Sequence, residues 1–231
     1  MTPAPAAPWR DRIRALRPSV ELVAWLASLP PETTYTDAWG ACPRGDWLLW
    51  LVANCEPVRS SAAWSPARRP LVAAAVACAR LALPTFEARV PKDDRPRRCI
   101  DTTAAWCRGE ATRKGVERAR RGAWAAAVYA DAADAAADAA DADAYAASAY
   151  AASAYAAAYA AYAADAAAEA AADAASDAAS ASASASAFAA DAAADATTYD
   201  GGAAYAAERA RVLRECADIV RAHFPAAPEL P

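Results

Sequence analysis

From Tyr129 to Arg211 the chain contains no Leu, Ile, Val or Met, and from Ala123 to Asp200 it contains neither Gly nor Pro. This stretch, built almost wholly of Ala, Ser, Asp and Tyr, restricts the fold more than any other part of the 231 residues. Alanine is the strongest helix former because it loses no side-chain entropy, so the tract reads as helix. As one rod its roughly 75 residues would extend about 110 Å at 1.5 Å per residue. A compact chain of this length has a radius of gyration of only about 17 Å. The tract is therefore expected to fold back as two or three helices in an antiparallel stack.

Register supports the folding back. Asp131, Asp134, Asp138, Asp141 and Tyr145 follow a 3-4-3-4 spacing and form one helical stripe. Tyr155, Tyr159, Tyr162, Glu169, Asp173, Asp177 and Ser180 form another. Tyr145, Tyr150 and Tyr155 are five apart, so the stripe breaks and a turn is expected between about residues 146 and 154. "SASASASAF" (180–188) is the second expected turn, since a period of two supports no helical face and Ser and Ala are poor strand formers. A buried methyl contributes about 0.8 kcal/mol against roughly 1.5–3 for a buried Leu or Phe. The tract must therefore cohere through close backbone approach and many small dispersion contacts.

The first part of the chain is of another kind. All eight Trp lie at or before Trp124, which places the conventional core there. "SVELVAWLASLPP" reads as a helix opened by the N-cap Ser19 and stopped by Pro30 and Pro31. "CPRGDWLLWLVANCEP" turns at Pro43 and Gly45, takes Asp46 as N-cap and runs to the residue before Pro57; being apolar nearly all round, it is expected to be central. "SPARRPLVAAAVACARLALP" gives a third helix, bounded by Pro84 and with Pro70 near its start. "DDRPRRCIDTTAAWCRGE" gives a fourth, closed by the C-cap glycine Gly109. Thr112 opens a fifth, and "AAERARVLRECADIVRAHF" closes the chain with Val212, Leu213, Ile219, Val220 and Phe224 on its apolar side. The organisation expected is a flexible N-terminus (1–18), a Trp-rich helical portion (19–122), the Ala-rich region (123–199) and a C-terminal helix (203–224). Together they make one all-α domain.

Charge divides along the same line. Residues 1–122 hold 20 Lys and Arg against 12 Asp and Glu, whereas residues 123–231 hold 4 against 16. The two parts can pack on each other or address different partners. The N-terminus has no apolar run of signal-peptide length, and a cytoplasmic location without a membrane span is expected. Six Cys occur without a C-x-x-C pair and His223 is the single His. They read as reduced thiols with no metal site, no cofactor and no catalytic base beside a nucleophile. Arg44-Gly45-Asp46 is a turn and cap rather than an adhesion motif. The basic clusters Arg68-Arg69, Arg95 to Arg98 and Arg118 to Arg121 sit beside acids and lack interleaved aromatics, which argues against nucleic-acid binding.

The set "DAWGACPRGDWLLWLVANC", "LVAAAVACARLAL", "DDRPRRCIDTTAAWCRGEAT" and "CADIVRAHFP", enclosing an Ala-rich tract, resembles bacterial and phage immunity proteins of the Imm-5-like family. The resemblance runs from about Thr36 to Pro225 and is carried best by Ala41 to Leu51, Cys78-Ala79-Arg80, Asp94 to Pro96, Trp106 to Thr112 and Ile219 to Arg221. It implies an all-helical, non-catalytic protein that binds and blocks a cognate toxin, and it brings no site residues with it. Tyr and Asp occupy most of the tract where similar proteins often place Arg or Trp, so a different target is implied if the tract is the recognition surface. The contact residues expected from the pattern are Asp131, Asp134, Asp138, Asp141, Tyr145, Tyr155, Tyr159 and Tyr162, as a strip for a cationic partner. The plainer alternative makes the carboxylates a solvated face and the phenols half-buried packing. Two other functions stay open: a self-associating structural protein whose alanine faces pair between chains, and a weak nucleic-acid binder acting through the basic part.

Overall fold

The computed structural model describes residues 8–139, 162–164, 166–170, 175–197 and 203–231, with the backbone alone at 89, 129–139, 175–179, 182, 196–197 and 204. Among the described residues every regular element is helical and none is a strand, so the fold is all-α. The short helices α1 (Trp9–Ala15), α2 (Val20–Ser28), α3 (Tyr35–Ala41) and α4 (Gly45–Ala53) come first. A 3₁₀ turn (Pro66–Arg68) leads into α5 (Arg69–Arg89), then α6 (Arg95–Arg108) and α7 (Arg113–Ala139). Residues 162–164 and 166–170 are helical (α8). The chain closes with α9 (Ala175–Thr197) and α10 (Ala203–His223).

Local chemistry sets several of these boundaries. The Ser19 hydroxyl accepts the N–H of Leu22 at 3.3 Å, capping α2. Thr34 and Asp37 exchange side-chain and backbone bonds in a capping box at the start of α3. Gly109 ends α6 at φ +83°, a left-handed conformation that only glycine adopts without strain. The Thr112 hydroxyl accepts from the N–H of Gly115 at 3.2 Å where α7 begins.

At the centre of the packing lies α9, in contact with α4, α5 and α10. On one side of the wall formed by α5 and α9, Val72, Val76, Phe86, Ile100, Trp106 and Val116 join the buried alanines of α7, α8 and α9. On the other, Leu22, Leu26, Trp39, Leu49, Leu71, Val212 and Val220 fill the space between α2, α3, α4, α5 and α10. The large side chains stand where the sequence places them, but the partition between the two cores comes from the Ala-rich tract. By length and composition alone α5 could cross a bilayer; here it is a core helix serving both sides of that wall.

Four expectations are corrected. The turn at 180–188 is absent: α9 runs straight through it, with Ala181, Ala185, Ser186, Ala189, Ala190, Ala192 and Ala194 all buried. At about 100° per residue these positions cover roughly 220° of the helix circumference, and Ser184, Phe188, Asp191 and Asp195 on the remaining side are only half-buried. A helix packed against three others needs small residues over most of its circumference, which blurs the stripe that would have announced it. The helix expected to stop at Pro84 continues to Arg89 as α5. Pro84 faces solvent, and the extra turn is held by the buried Phe86 and by Glu87, paired with Arg97 of α6. In α4, Arg44 rather than Asp46 takes the N-cap position, and the helix ends at Ala53, short of the residue before Pro57. Gly45, its first residue, packs so closely on α10 that a Cβ there would clash with Cys216 Cβ. Finally, the supposedly flexible N-terminus holds α1, which docks through the buried Ile13 and the Trp9 indole N–H, donating to Thr33 O at 3.2 Å. Arg12 reaches the carbonyls of Leu230 and Pro231, so α1 is also tied to the C-terminal segment.

Candidate binding surface

α7 owes its position to small residues. Val116, Ala123, Ala126 and Ala127 are buried against the first core, and α6 packs along the same helix. Its outer face is unusual. Trp124 is 53% exposed and Val128 45%, one helical turn apart. Large apolar groups left in water lose the stabilisation that burial would bring, so such a pair marks a surface that another molecule can cover.

The expected contact residues divide into three groups. Asp131, Asp134 and Asp138 lie on α7, beyond Val128 in the same helix. Asp141, Tyr145, Tyr155 and Tyr159 lie outside the described residues. Tyr162 of α8 is half-buried, its ring 5.5 Å from Trp124 in an edge contact and 5.7 Å from Phe188 of α9. It therefore links the exposed tryptophan to the core, and its ring does packing work whatever else it touches. Glu169, on the second stripe, pairs with Arg120 of α7 at 3.2 Å.

The basic clusters are mostly engaged. Arg68 is buried and donates to Ser61. Arg95 pairs with Asp93, Arg97 with Glu87 and Arg98 with Asp94. Lys114, Arg118 and Arg121 of α7 are exposed and meet no carboxylate among the described residues. Between α6 and α7 an open groove of about 340 Å³ is lined by Arg95, Arg98, Thr102, Gly115, Arg118 and Gly122.

A second polar constellation was not expected from sequence. Where α9 meets α10, the Tyr205 hydroxyl donates to Asp191 at 3.3 Å, and Arg209 pairs with the same carboxylate at 2.5 Å. Burial and the neighbouring Asp191 push Asp195 up to about 6. Burial, with Asp191 and Asp195 nearby, pushes Tyr205 up to about 12. The signal available was Asp191 and Asp195 at i, i+4 facing a helix that carries Arg209. The ion pair ties α9 to α10 and leaves Asp195 as a half-buried acid without a cation of its own among the described residues.

Chemical reactivity is muted among the described residues. Burial pushes Cys42 up to about 12 and Cys107 to about 11, so neither thiol is a ready nucleophile at neutral pH. Burial also holds His223 below its ordinary value, and it makes no hydrogen bond among the described residues. No group of three His, Cys, Asp or Glu among them is placed to hold a metal ion. Compared with known proteins, the chain matches no family model, no curated protein and no solved structure.

Proposed function

We propose that the chain is a non-catalytic binding protein of the immunity type, a cytoplasmic inhibitor that docks a cognate bacterial toxin through α7. The observation that carries this reading is the solvent-facing pair Trp124 and Val128, followed three residues on by the first carboxylate of the acidic strip. An aromatic anchor beside charge is what an interface needs: apolar contact for affinity, and complementary potential for rate and partner choice. The cationic partner faces Asp131, Asp134 and Asp138, so the complex weakens as salt rises.

The test is a tagged pull-down from native-host lysate at low and moderate salt, repeated with Asp131→Arg, Asp134→Arg and Asp138→Arg combined. One stoichiometric partner should elute with salt and be lost by the charge-reversed chain. Expressed alone, that partner should arrest bacterial growth, and co-expression of this chain should lift the arrest. A partner held equally well by the reversed chain removes the strip from the interface. A harmless partner removes the immunity reading.

A further inference from the structure

We infer that the outer face of α7 is a self-complementary surface on which a second copy of the chain packs antiparallel, about a two-fold axis passing Ala126. The inference goes beyond the immunity-type reading and requires no toxin. Its basis is a charge pattern that mirrors itself with inverted sign. Arg121 and Asp131 stand five residues before and after Ala126, and Lys114 and Asp138 stand twelve before and after. Trp124 and Val128 stand two on either side. Ala126 itself is buried, on the opposite side of the helix.

The helix geometry makes this pattern a face. α7 is one uninterrupted helix from Arg113 to Ala139, about 40 Å long at 1.5 Å per residue. At about 100° per residue the six positions fall within roughly 60° of a line drawn outward between Trp124 and Val128. In an antiparallel two-fold pair, residues equidistant from the axis meet in the same layer, so one interface contains each layer twice. The central layers set Trp124 against Val128, the next set Arg121 against Asp131, and the outer ones set Lys114 against Asp138. Arg118 and Asp134, eight residues to either side, repeat the inversion on the flanks. A parallel pair would instead set like charge against like.

Two further observations point to the same occupant. Lys114, Arg118 and Arg121 meet no carboxylate among the described residues of their own chain. In addition, α7 begins with Arg113 and Lys114 and has no acid in its first turn, the reverse of what its own dipole favours. An antiparallel neighbour brings acid to that end and opposes the dipole. Pairing also covers Trp124 and Val128, the outward-facing apolar side chains of this helix.

Sedimentation equilibrium of the full chain at low salt tests the inference. The mass should climb with concentration from 23.9 kDa toward twice that value and fall back as salt is raised. Arg121→Asp alone sets acid against acid, Asp131→Arg alone sets base against base, and each variant should stay at the single-chain mass. Mixed in equal amounts, the two variants restore every attractive layer between unlike chains and should associate as the wild type does. Unchanged helical circular dichroism shows that the variants are folded. A wild type that stays at the single-chain mass overturns the inference, as does a single variant that pairs like the wild type or a mixture that does not pair. These outcomes are independent of the toxin. A monomeric chain can still have a toxin partner, and a chain without one can still form the pair.

Discussion

α4 and α9 pack against each other and both are enclosed, yet they are made of opposite materials. α4 is held by bulk: Leu48, Leu49, Leu51 and Val52 are buried along its length. α9 is held by nearness, since its buried residues are Ala and Ser, and three helices approach it because nothing stands in the way. Large side chains stabilise through the volume they fill, and small ones through the approach they permit. The two helices should therefore fail in opposite ways, α4 when atoms are removed and α9 when atoms are added.

The largest expected effect is on the bulky side. Leu49 is fully buried, so Leu49→Ala removes three carbons from a site with no route for water to enter, and should cost about 2–5 kcal/mol in urea unfolding. A loss well below 1 kcal/mol would mean that α4 collapses onto its neighbours, and the contrast with α9 would fail. Next comes the reverse change. Ala189→Leu makes α9 more hydrophobic and leaves helix propensity almost untouched. It should nevertheless destabilise by about 1–3 kcal/mol, because a fully buried methyl has no room beside it. A more stable Ala189→Leu protein would show unfilled space around α9 and end the argument from close approach.

The same contrast explains what could be read in advance. Ser19, Thr112 and Gly109 act within a few residues of themselves, so their caps were legible. The turn at Arg44-Gly45-Asp46 was legible too, but the close approach of Gly45 to Cys216 was not, because those residues lie far apart along the chain. Pro84 marks a helix end by local rules and is overridden by the burial of Phe86. Periodicity identifies a helix with one buried face. In α9 small residues are buried over most of the circumference, so the stripe was too broad to recognise and a turn took its place. The acidic register on α7 was visible, whereas the exposure of Trp124 and Val128 was not, since an apolar residue on a helix ordinarily points inward. The Asp191–Arg209 pair needed α9 and α10 to be known as neighbours.

A smaller effect sharpens the point about α9. The Ser186 hydroxyl is fully buried without a hydrogen-bond partner among the described residues. An unsatisfied buried polar group is destabilising, while alanine keeps the close approach and favours the helix more. Ser186→Ala should therefore raise stability by about 1 kcal/mol, read as a higher urea midpoint with an unchanged slope. A destabilised variant would reveal that the hydroxyl contributes to packing, and smallness alone would no longer describe α9.

The least effect expected concerns charge, where the two regions differ again. The buried Asp46 of α4 has Arg44 beside it at 2.5 Å, whereas the half-buried Asp195 of α9 has Asp191 one turn away, and Asp191 already engages Arg209. Burial and that like charge raise Asp195 from 3.8 to about 6, so the folded protein holds this proton more tightly than the unfolded chain does. The sign follows by linkage: as pH rises through this window the folded state loses stability relative to a neutral side chain, and the full cost applies above about pH 6. Because the group is only half-buried, solvent screening reduces that cost to on the order of 1 kcal/mol. Asp195→Asn removes it, so the variant should be more stable than wild type at pH 7.5, with the advantage shrinking as pH falls from 6 towards 4. Thermal melts of both proteins across that range check the sign. An advantage that persists undiminished at pH 4 would tie the gain to packing at the α9–α10 contact. A loss at pH 7.5 would show that the charge has a cation after all, and that the acidic part of the chain pairs its carboxylates as the basic part does.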